Sequence, residues 1–170
     1  MRLYFLRHGL AANREDWPAE EDFARPLTAR GRDQLEHTAE ILAALDLRLD
    51  VILTSPLIRA LQTAEIVAKR LDMLDRLVQD RRLSPGFDAG QLPAILPAHP
   101  GAANLMLVGH EPDFSQIISA LIGGGCVVCK KGGLARVDVS PVGAWPPGTR
   151  LAGELVWLIP PSVLALSSGE

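Results

Sequence analysis

The sequence has few of the features that mark membrane proteins or nucleic-acid binders. Its 170 residues carry 17 basic and 20 acidic side chains, and the net charge of −3 argues against a general nucleic-acid binder, which is usually basic. No apolar run reaches the roughly 18 residues of a membrane span. Arg7 and His8 cut the first apolar run short, and no small-residue cleavage site of a signal peptide follows. We therefore expect a cytoplasmic protein with neither a nucleic-acid nor a membrane partner.

Cysteine is also scarce, since the chain has only Cys126 and Cys129. A redox pair or half of a zinc site uses this spacing, but zinc normally needs about four ligands and no second pair exists. A redox motif of the thioredoxin type would also be expected earlier in a domain, at a strand-to-helix turn. We therefore expect two reduced, partly buried thiols and no cofactor, and any role of this pair stays open.

What the chain does contain is enough apolar residues for a core. A hydrophobic fraction of 48% over 170 residues fits one globular domain spanning residues 1–170, and we find no internal repeat or long linker. Short apolar runs alternate with helical patterns in the first two thirds, which predicts an α/β fold with a mostly parallel sheet and helices on both faces. Two consecutive strand patterns, residues 134–139 and 151–159, predict an antiparallel edge.

The helical patterns have recognisable starts. Thr28 is a predicted N-cap, and apolar residues at three- and four-residue spacings extend that helix to about Leu45. Pro56 is expected to open the next helix. The apolar stripe predicted for that helix consists of Ile58, Leu61, Ile66, Val67 and Leu71, with Arg59 and Thr63 on a different face.

Polar residues follow three of the predicted strands. Arg7 and His8 come directly after the first strand, Arg59 lies one turn past the second, and His110 follows the strand at residues 105–108. The carboxyl ends of parallel strands share one edge of a sheet, so these residues can converge. Two guanidinium groups and two imidazoles would form a cationic pocket for a dianion, in which a histidine can attack phosphorus. We expect the acidic run at residues 20–22 to be a solvated loop.

Four segments resemble the motifs of a known family. They are Leu6-Arg7-His8-Gly9, the turn from Pro26-Leu27-Thr28 to Gly31, residues 55–64 (SPLIRALQTA) and Val108-Gly109-His110. In this order they are similar to the histidine phosphatase superfamily, which contains phosphoglycerate mutases and acid phosphatases. The short chain, Glu111-Pro112 and residues 130–136 are more similar to the small SixA-type phosphohistidine phosphatases than to the mutases.

The resemblance implies a fold of the phosphoglycerate mutase type and a role for each matching residue. His8 would be the nucleophile that becomes phosphohistidine, and Arg7 and Arg59 would clamp the phosphoryl oxygens. His110 would donate a further hydrogen bond to the transferred group, and Gly9 would let the phosphate approach the backbone. No metal is implied, because arginines would supply the positive charge that magnesium provides in other phosphoryl-transfer sites.

The sequence departs from the family pattern at two places. Relatives usually carry asparagine six residues after the nucleophile, where this chain has Arg14, with Asn13 one position early. Their general acid, a glutamate, lies on a loop that this chain replaces with residues 83–86, which contain no carboxylate; Asp88 is nearby but unsupported. Glu111 is a candidate acid, and the alternative is a carboxylate stabilised by the helix that follows it.

The absence of an evident acid bears on the substrate. Expelling an alkoxide from a phosphate ester needs a proton donor, whereas imidazole, with a pKa near ~6.5, leaves readily as a neutral ring. We therefore expect phosphohistidine on a protein of the histidine-phosphotransfer type as the substrate. A small-molecule phosphomonoesterase acting on sugar or nucleotide phosphates, and a weakly active phosphate-binding module, remain the alternatives. The sequence does not predict the oligomeric state or the pathway.

Overall fold

The described part of the chain folds around a six-stranded β-sheet. The structure is a computed structural model that describes residues 1–45, 47–140 and 150–164. The strand order across the sheet is β3-β2-β4-β1-β5-β6. The strands are β1 (Arg2–Arg7), β2 (Val51–Thr54), β3 (Leu77–Gln79), β4 (Asn104–Gly109), β5 (Leu134–Val139) and β6 (Gly153–Ile159).

The sheet is parallel on one side and antiparallel on the other. β4 pairs in parallel with both β1 and β2, and β3 extends the parallel part beyond β2. β5 is antiparallel to β1, and β6 is antiparallel to β5. This confirms the predicted mostly parallel sheet with an antiparallel edge from the C-terminal strands.

Helices cover both faces of this sheet. Leu3 and Phe5 of β1 belong to one core cluster, together with apolar residues of α3 and α4, whereas Tyr4 and Leu6 belong to a second cluster with α1 and α2. This alternation follows from the two-residue period of a strand. The helices are α1 (Ala29–Ala44), α2 (Ile58–Arg70), α3 (Leu92–Ile95), α4 (Asp113–Leu121) and α5 (Pro161–Leu164).

The start of α1 fixes the loop that follows β1. The Thr28 hydroxyl accepts a hydrogen bond from the Gly31 amide at 3.0 Å, which confirms Thr28 as the N-cap. The same hydroxyl donates to the carbonyl of Leu10 at 3.2 Å. Leu10 also lies against Gly31, where a Cβ atom would come within 2.1 Å of its carbonyl oxygen. The first turn of α1 therefore holds the backbone that follows Gly9.

Helix α2 differs from the sequence prediction in its start and in its buried face. It begins at Ile58, two residues after Pro56, because Leu57 has the extended backbone of an N-cap residue. Arg59 and Thr63 are 4% and 0% exposed, while Leu61 of the predicted stripe is only half-buried. The buried Thr63 hydroxyl is satisfied by two hydrogen bonds, because it accepts from the Gly9 amide at 3.1 Å and donates to the Arg59 carbonyl at 2.7 Å. This face of α2 is directed toward the end of β1.

Neither a helix suited to crossing a membrane nor a cluster of metal-ligating side chains occurs in the part of the chain that the structure describes. None of the helices in residues 1–45, 47–140 and 150–164 combines the length and apolar character that a membrane crossing requires. The same residues contain no group of three or more metal-ligating side chains arranged to hold an ion.

Candidate active site

The ends of β1 and β4 bring two histidines together. Arg7 lies opposite Gly109 in the parallel pairing, and the His8 amide donates to the Gly109 carbonyl at 3.1 Å. His8 and His110 are the residues directly after these two strands, and the centroids of their imidazole rings lie 5.3 Å apart. Adjacent parallel strands thus place at one edge two residues that are 102 positions apart in the chain.

The hydrogen bonding and the burial of His8 together indicate which of its ring nitrogens carries a proton. Its Nδ1 lies 2.8 Å from the carbonyl oxygen of Gly9, and a carbonyl can only accept, so Nδ1 carries the proton. Burial lowers the pKa of His8 to about 3, and the charges of His110, Arg59 and Arg7 act in the same direction. The imidazole is therefore neutral near pH 7, and Nε2 keeps the lone pair that a nucleophile needs.

His110 is held by a residue at the end of β2. Its Nε2 lies 2.8 Å from the Ser55 hydroxyl, whose oxygen accepts from the Leu57 amide at 3.3 Å. The Ser55 hydroxyl can either donate to Nε2 or accept from it, and in the first arrangement Nδ1 of His110 carries the ring proton. Burial lowers the pKa of His110 to about 3, and Arg59 adds to this effect. Nδ1 is buried and has no hydrogen-bond partner among the described residues.

Arg59 is bound to the loop between β1 and α1. Its Nη1 donates to the Asp22 carbonyl at 2.8 Å and its Nη2 to the Asp22 carboxylate at 3.0 Å, while its buried Nε has no described partner. Burial alone would raise the pKa of Asp22, but a hydrogen bond from Arg25 and the charge of Arg59 outweigh it and lower that pKa. Glu20 and Glu21 are exposed, as expected for a solvated segment, but the expectation is wrong for Asp22, whose carboxylate joins two arginines.

Arg7 is bound to the opposite wall of the site. Its Nη1 donates to the Cys129 carbonyl at 2.8 Å, and its buried Nε has no described partner. Burial lowers the pKa of Arg7, and the nearby Glu111 carboxylate opposes that effect. Both cysteines are free; Cys126 is exposed, and burial raises the pKa of the Cys129 thiol to about 11. Cys129 therefore contributes its backbone carbonyl to the site while its thiol stays protonated.

Glu111 reaches the same site from the residue after His110. Its Oε2 accepts from the Ser115 hydroxyl at 2.6 Å, and its Oε1 is buried without a described partner. Helix α4 begins only at Asp113, whose carboxylate accepts from the Gly86 amide at 2.8 Å. Glu111 is thus held by a side chain of α4 and leaves one carboxylate oxygen unused.

These residues line one pocket of about 410 Å³. Arg7, His8, Arg59, His110 and the candidate acid Glu111 are among its lining, and so is Pro85. Gly9 is not, because the face of Gly9 that would carry a Cβ atom packs against Leu35 of α1, 2.5 Å from its side chain. Asp88 is not, because it caps the turn at Ala89–Gln91. The lining is Arg7, His8, Ala11, Ala12, Asn13, Arg14, Asp22, Arg25, Arg59, Pro85, His110, Glu111 and Lys131.

Three of the buried polar atoms without described partners are nitrogens of this pocket's lining residues. They are Nε of Arg7, Nε of Arg59 and Nδ1 of His110, and the fourth is the acceptor Oε1 of Glu111. Leaving a buried donor unpaired costs about 1–3 kcal/mol, so natural structures rarely leave several together. The two guanidinium nitrogens are donors, and Nδ1 of His110 is a third when Ser55 donates to Nε2, so the oxygens of an anion would satisfy this set.

Comparison with known proteins agrees with this chemistry. The model of the histidine phosphatase superfamily (branch 1) matches residues 3–85. The chain is 31% identical over 126 residues to the phosphohistidine phosphatase SixA of Escherichia coli, which covers 73% of this chain and 76% of SixA. The chain belongs to the histidine phosphatase superfamily. Membership supports phosphatase activity and confirms the resemblance found in the sequence motifs.

Two further relatives extend the likeness of this histidine phosphatase. An uncharacterised protein of Picosynechococcus sp. is 43% identical over 124 residues, which cover 71% of this chain and 73% of that protein. The structure of the protein histidine phosphatase SixA complexed with tungstate superposes with a TM-score of 0.81 at 28% identity, over 96% of this chain and 99% of SixA. The likeness to SixA in fold therefore extends beyond the residues that the family model matches.

Sequence reasoning missed several residues of the site. Asp22 and Ser55 give no local signal, because their partners Arg59 and His110 are distant in the chain. Arg25 pairs with Asp22 only three residues away and joins the site through it. Thr63 could be singled out by its four-residue spacing from Arg59, but the spacing does not reveal its hydrogen bond to the Gly9 amide.

Proposed function

We propose that this protein is a phosphohistidine phosphatase that forms a phosphohistidine intermediate on His8. The observation that carries the proposal is the neutral His8 imidazole together with three buried nitrogens without described partners in residues that line the same pocket. Arg7 and Arg59 would each bind a phosphoryl oxygen through Nε, and His110 would bind the third through Nδ1. Gly9 holds the proton of His8 on Nδ1, which leaves Nε2 for attack.

The reaction would proceed in two displacements at phosphorus. In the first, Nε2 of His8 attacks, the bond from phosphorus to the substrate nitrogen breaks, and its electron pair stays on that nitrogen. The substrate ring leaves neutral because its other nitrogen keeps a proton. In the second, water attacks the phosphoryl group on His8, both water protons leave with the phosphate, and the neutral imidazole returns. The guanidinium groups offset the charge that develops on the oxygens, so we propose a metal-independent reaction.

The proposed substrate is phosphohistidine on a protein of the histidine-phosphotransfer type. Its imidazole leaving group requires no strong acid, and no carboxylate occurs in residues 83–86, where relatives carry theirs. The printed name of the relative SixA as a phosphohistidine phosphatase supports the same class of substrate.

Replacing the nucleophile tests the mechanism. We expect His8→Ala to lower turnover of a phosphorylated histidine-phosphotransfer domain about a thousandfold or more, because the phosphoenzyme cannot form. His99→Ala is the matched control, since His99 lies outside the pocket. Mass spectrometry of the wild-type protein, quenched in alkali, should find one phosphoryl group on His8.

Two outcomes would contradict the mechanism. Full turnover by His8→Ala would exclude His8 as the nucleophile. Binding of phosphate or vanadate by the wild-type protein, with no turnover and no phosphoryl group on His8, would identify a phosphate-binding module instead.

A second candidate, a phosphomonoesterase for sugar or nucleotide phosphates, is favoured by one observation. Oε1 of Glu111 is buried without a described partner in a pocket-lining residue, which leaves this oxygen available to an alkoxide leaving group. If Glu111 is the general acid, Glu111→Gln should lower kcat on sugar phosphates about a hundredfold and leave turnover of phosphohistidine and of p-nitrophenyl phosphate, whose leaving groups need no acid, nearly unchanged. A wild-type kcat/KM higher for sugar phosphates than for the phosphorylated domain would replace the first proposal by this one.

A further inference from the structure

Two apolar side chains are strongly exposed beside the phosphate pocket. Phe23 is 60% exposed and Val128 is 61% exposed, the highest values among the large apolar side chains of the described residues. Single exposed apolar residues are common on protein surfaces and need no explanation. The placement of these two is what distinguishes them.

Each of the two residues adjoins the backbone group that holds one arginine of the pocket. Phe23 follows Asp22, whose carbonyl and carboxylate bind Arg59. Val128 precedes Cys129, whose carbonyl binds Arg7. One exposed apolar side chain therefore marks each of the two segments that hold the arginines, and neither residue lines the pocket itself.

The pocket also has more positive charge than one phosphoryl group uses. Arg14 and Lys131 are exposed, line the pocket and form no salt bridge with a described carboxylate. Such side chains attract an acidic surface and raise the rate of its association. The surroundings of the pocket thus combine apolar anchors with unpaired positive charge.

We propose that Phe23, Val128, Arg14 and Lys131 form a docking rim for a protein phosphorylated on histidine. The partner's surface would place apolar side chains beside its phosphohistidine, against Phe23 and Val128, and acidic side chains around it, near Arg14 and Lys131. This inference rests on the proposed function. Free phosphohistidine would occupy the pocket alone, because neither Phe23 nor Val128 lines it.

The test compares hydrolysis of the same phosphorus–nitrogen bond in a phosphorylated protein domain and in the free amino acid. The substrates are histidine-phosphotransfer domains phosphorylated with phosphoramidate, and free phosphohistidine. We expect Phe23→Ser and Val128→Ser each to lower kcat/KM for the domain about tenfold, the loss of an interface anchor, and to leave the rate on free phosphohistidine unchanged. Raising the salt concentration should lower kcat/KM for the domain more than for the free amino acid.

Leu45→Ser and Leu74→Ser are the matched controls. These leucines are 59% and 56% exposed, and they precede β2 and β3 at the opposite edge of the sheet. Both controls should act on the domain like the wild type. Unchanged kcat/KM for the domain in the Phe23 and Val128 variants would overturn the docking rim and leave the proposed function intact. Failure of the wild-type protein to hydrolyse either phosphohistidine substrate would overturn both.

Discussion

Asp22 occupies an unusual position for a carboxylate, since it lines a pocket proposed to bind phosphate. It binds Arg59 through both terminal nitrogens of the guanidinium group and leaves Nε free. Its other carboxylate oxygen accepts from Nε of Arg25 at 2.9 Å. This geometry indicates that Asp22 orients Arg59, with the charge of the carboxylate balanced by two arginines.

The substitution Asp22→Asn tests this interpretation. We expect a loss of about tenfold in phosphate affinity and in kcat/KM, because the amide holds Arg59 less firmly than the carboxylate does. Calorimetric titration with phosphate and steady-state kinetics measure the two effects. Asp138→Asn is the control, since Asp138 pairs with Arg136 on β5, outside the pocket. Tighter phosphate binding by Asp22→Asn would show that the carboxylate competes with the anion instead.

At this scale the sequence predicted the residues that end strands and missed those that support them. Arg7, His8 and His110 directly follow apolar runs, so their convergence could be expected from the parallel sheet. The contact between Arg59 and Asp22 spans 37 positions and depends on how the β1–α1 loop folds over the strand ends. The periodicity of apolar residues in the sequence does not predict such a contact.

At the scale of secondary-structure elements, the residue that caps α1 also holds the loop next to the site. Thr28 caps the helix and also holds Leu10, which follows Gly9 by one residue. The Leu27 amide donates to the side chain of Gln62 on α2 at 2.9 Å. The first turns of α1 and α2 are therefore fixed against the same loop that carries His8.

The substitution Gly31→Ala should reverse the usual effect of alanine in a helix. Alanine ordinarily stabilises a helix by about 1 kcal/mol relative to glycine. Here its Cβ atom would lie 2.1 Å from the backbone oxygen of Leu10, so we expect a lower free energy of unfolding by about 1–3 kcal/mol. Urea denaturation measures the difference. Gly90→Ala, whose Cβ atom meets only one side-chain oxygen at 3.0 Å, is the control and should change little.

The elements also show where hydrophobic periodicity is insufficient. It located α1 and its cap correctly, because that helix buries an apolar face with Leu35, Ala39 and Leu42. For α2 it found the buried Ile66 and Val67 but missed that Arg59 and Thr63 are buried as well, together with the alanines at positions 60 and 64. Small and polar residues carry little weight in a hydrophobic pattern.

At the scale of the whole molecule, the mixed character of the sheet was predictable and its strand order was not. Alternation of strands and helices predicts parallel pairing, and two successive strands predict an antiparallel edge. Nothing in the residues of β1 indicates that it pairs with β4 on one side and β5 on the other. That choice depends on how all the apolar faces are buried together.

The position of β1 within the sheet has a consequence for the order in which the protein is made. Arg2 pairs with Asn104 on one side and with Asp138 on the other, so both partners of the first strand emerge from the ribosome more than a hundred residues later. During synthesis β1 therefore has no strand to pair with, and its apolar side chains stay exposed to solvent. Such exposed strands favour aggregation and are bound by chaperones. The pocket around His8 consequently lacks part of its lining until Lys131 is made, and β1 lacks its second neighbour until β5 follows.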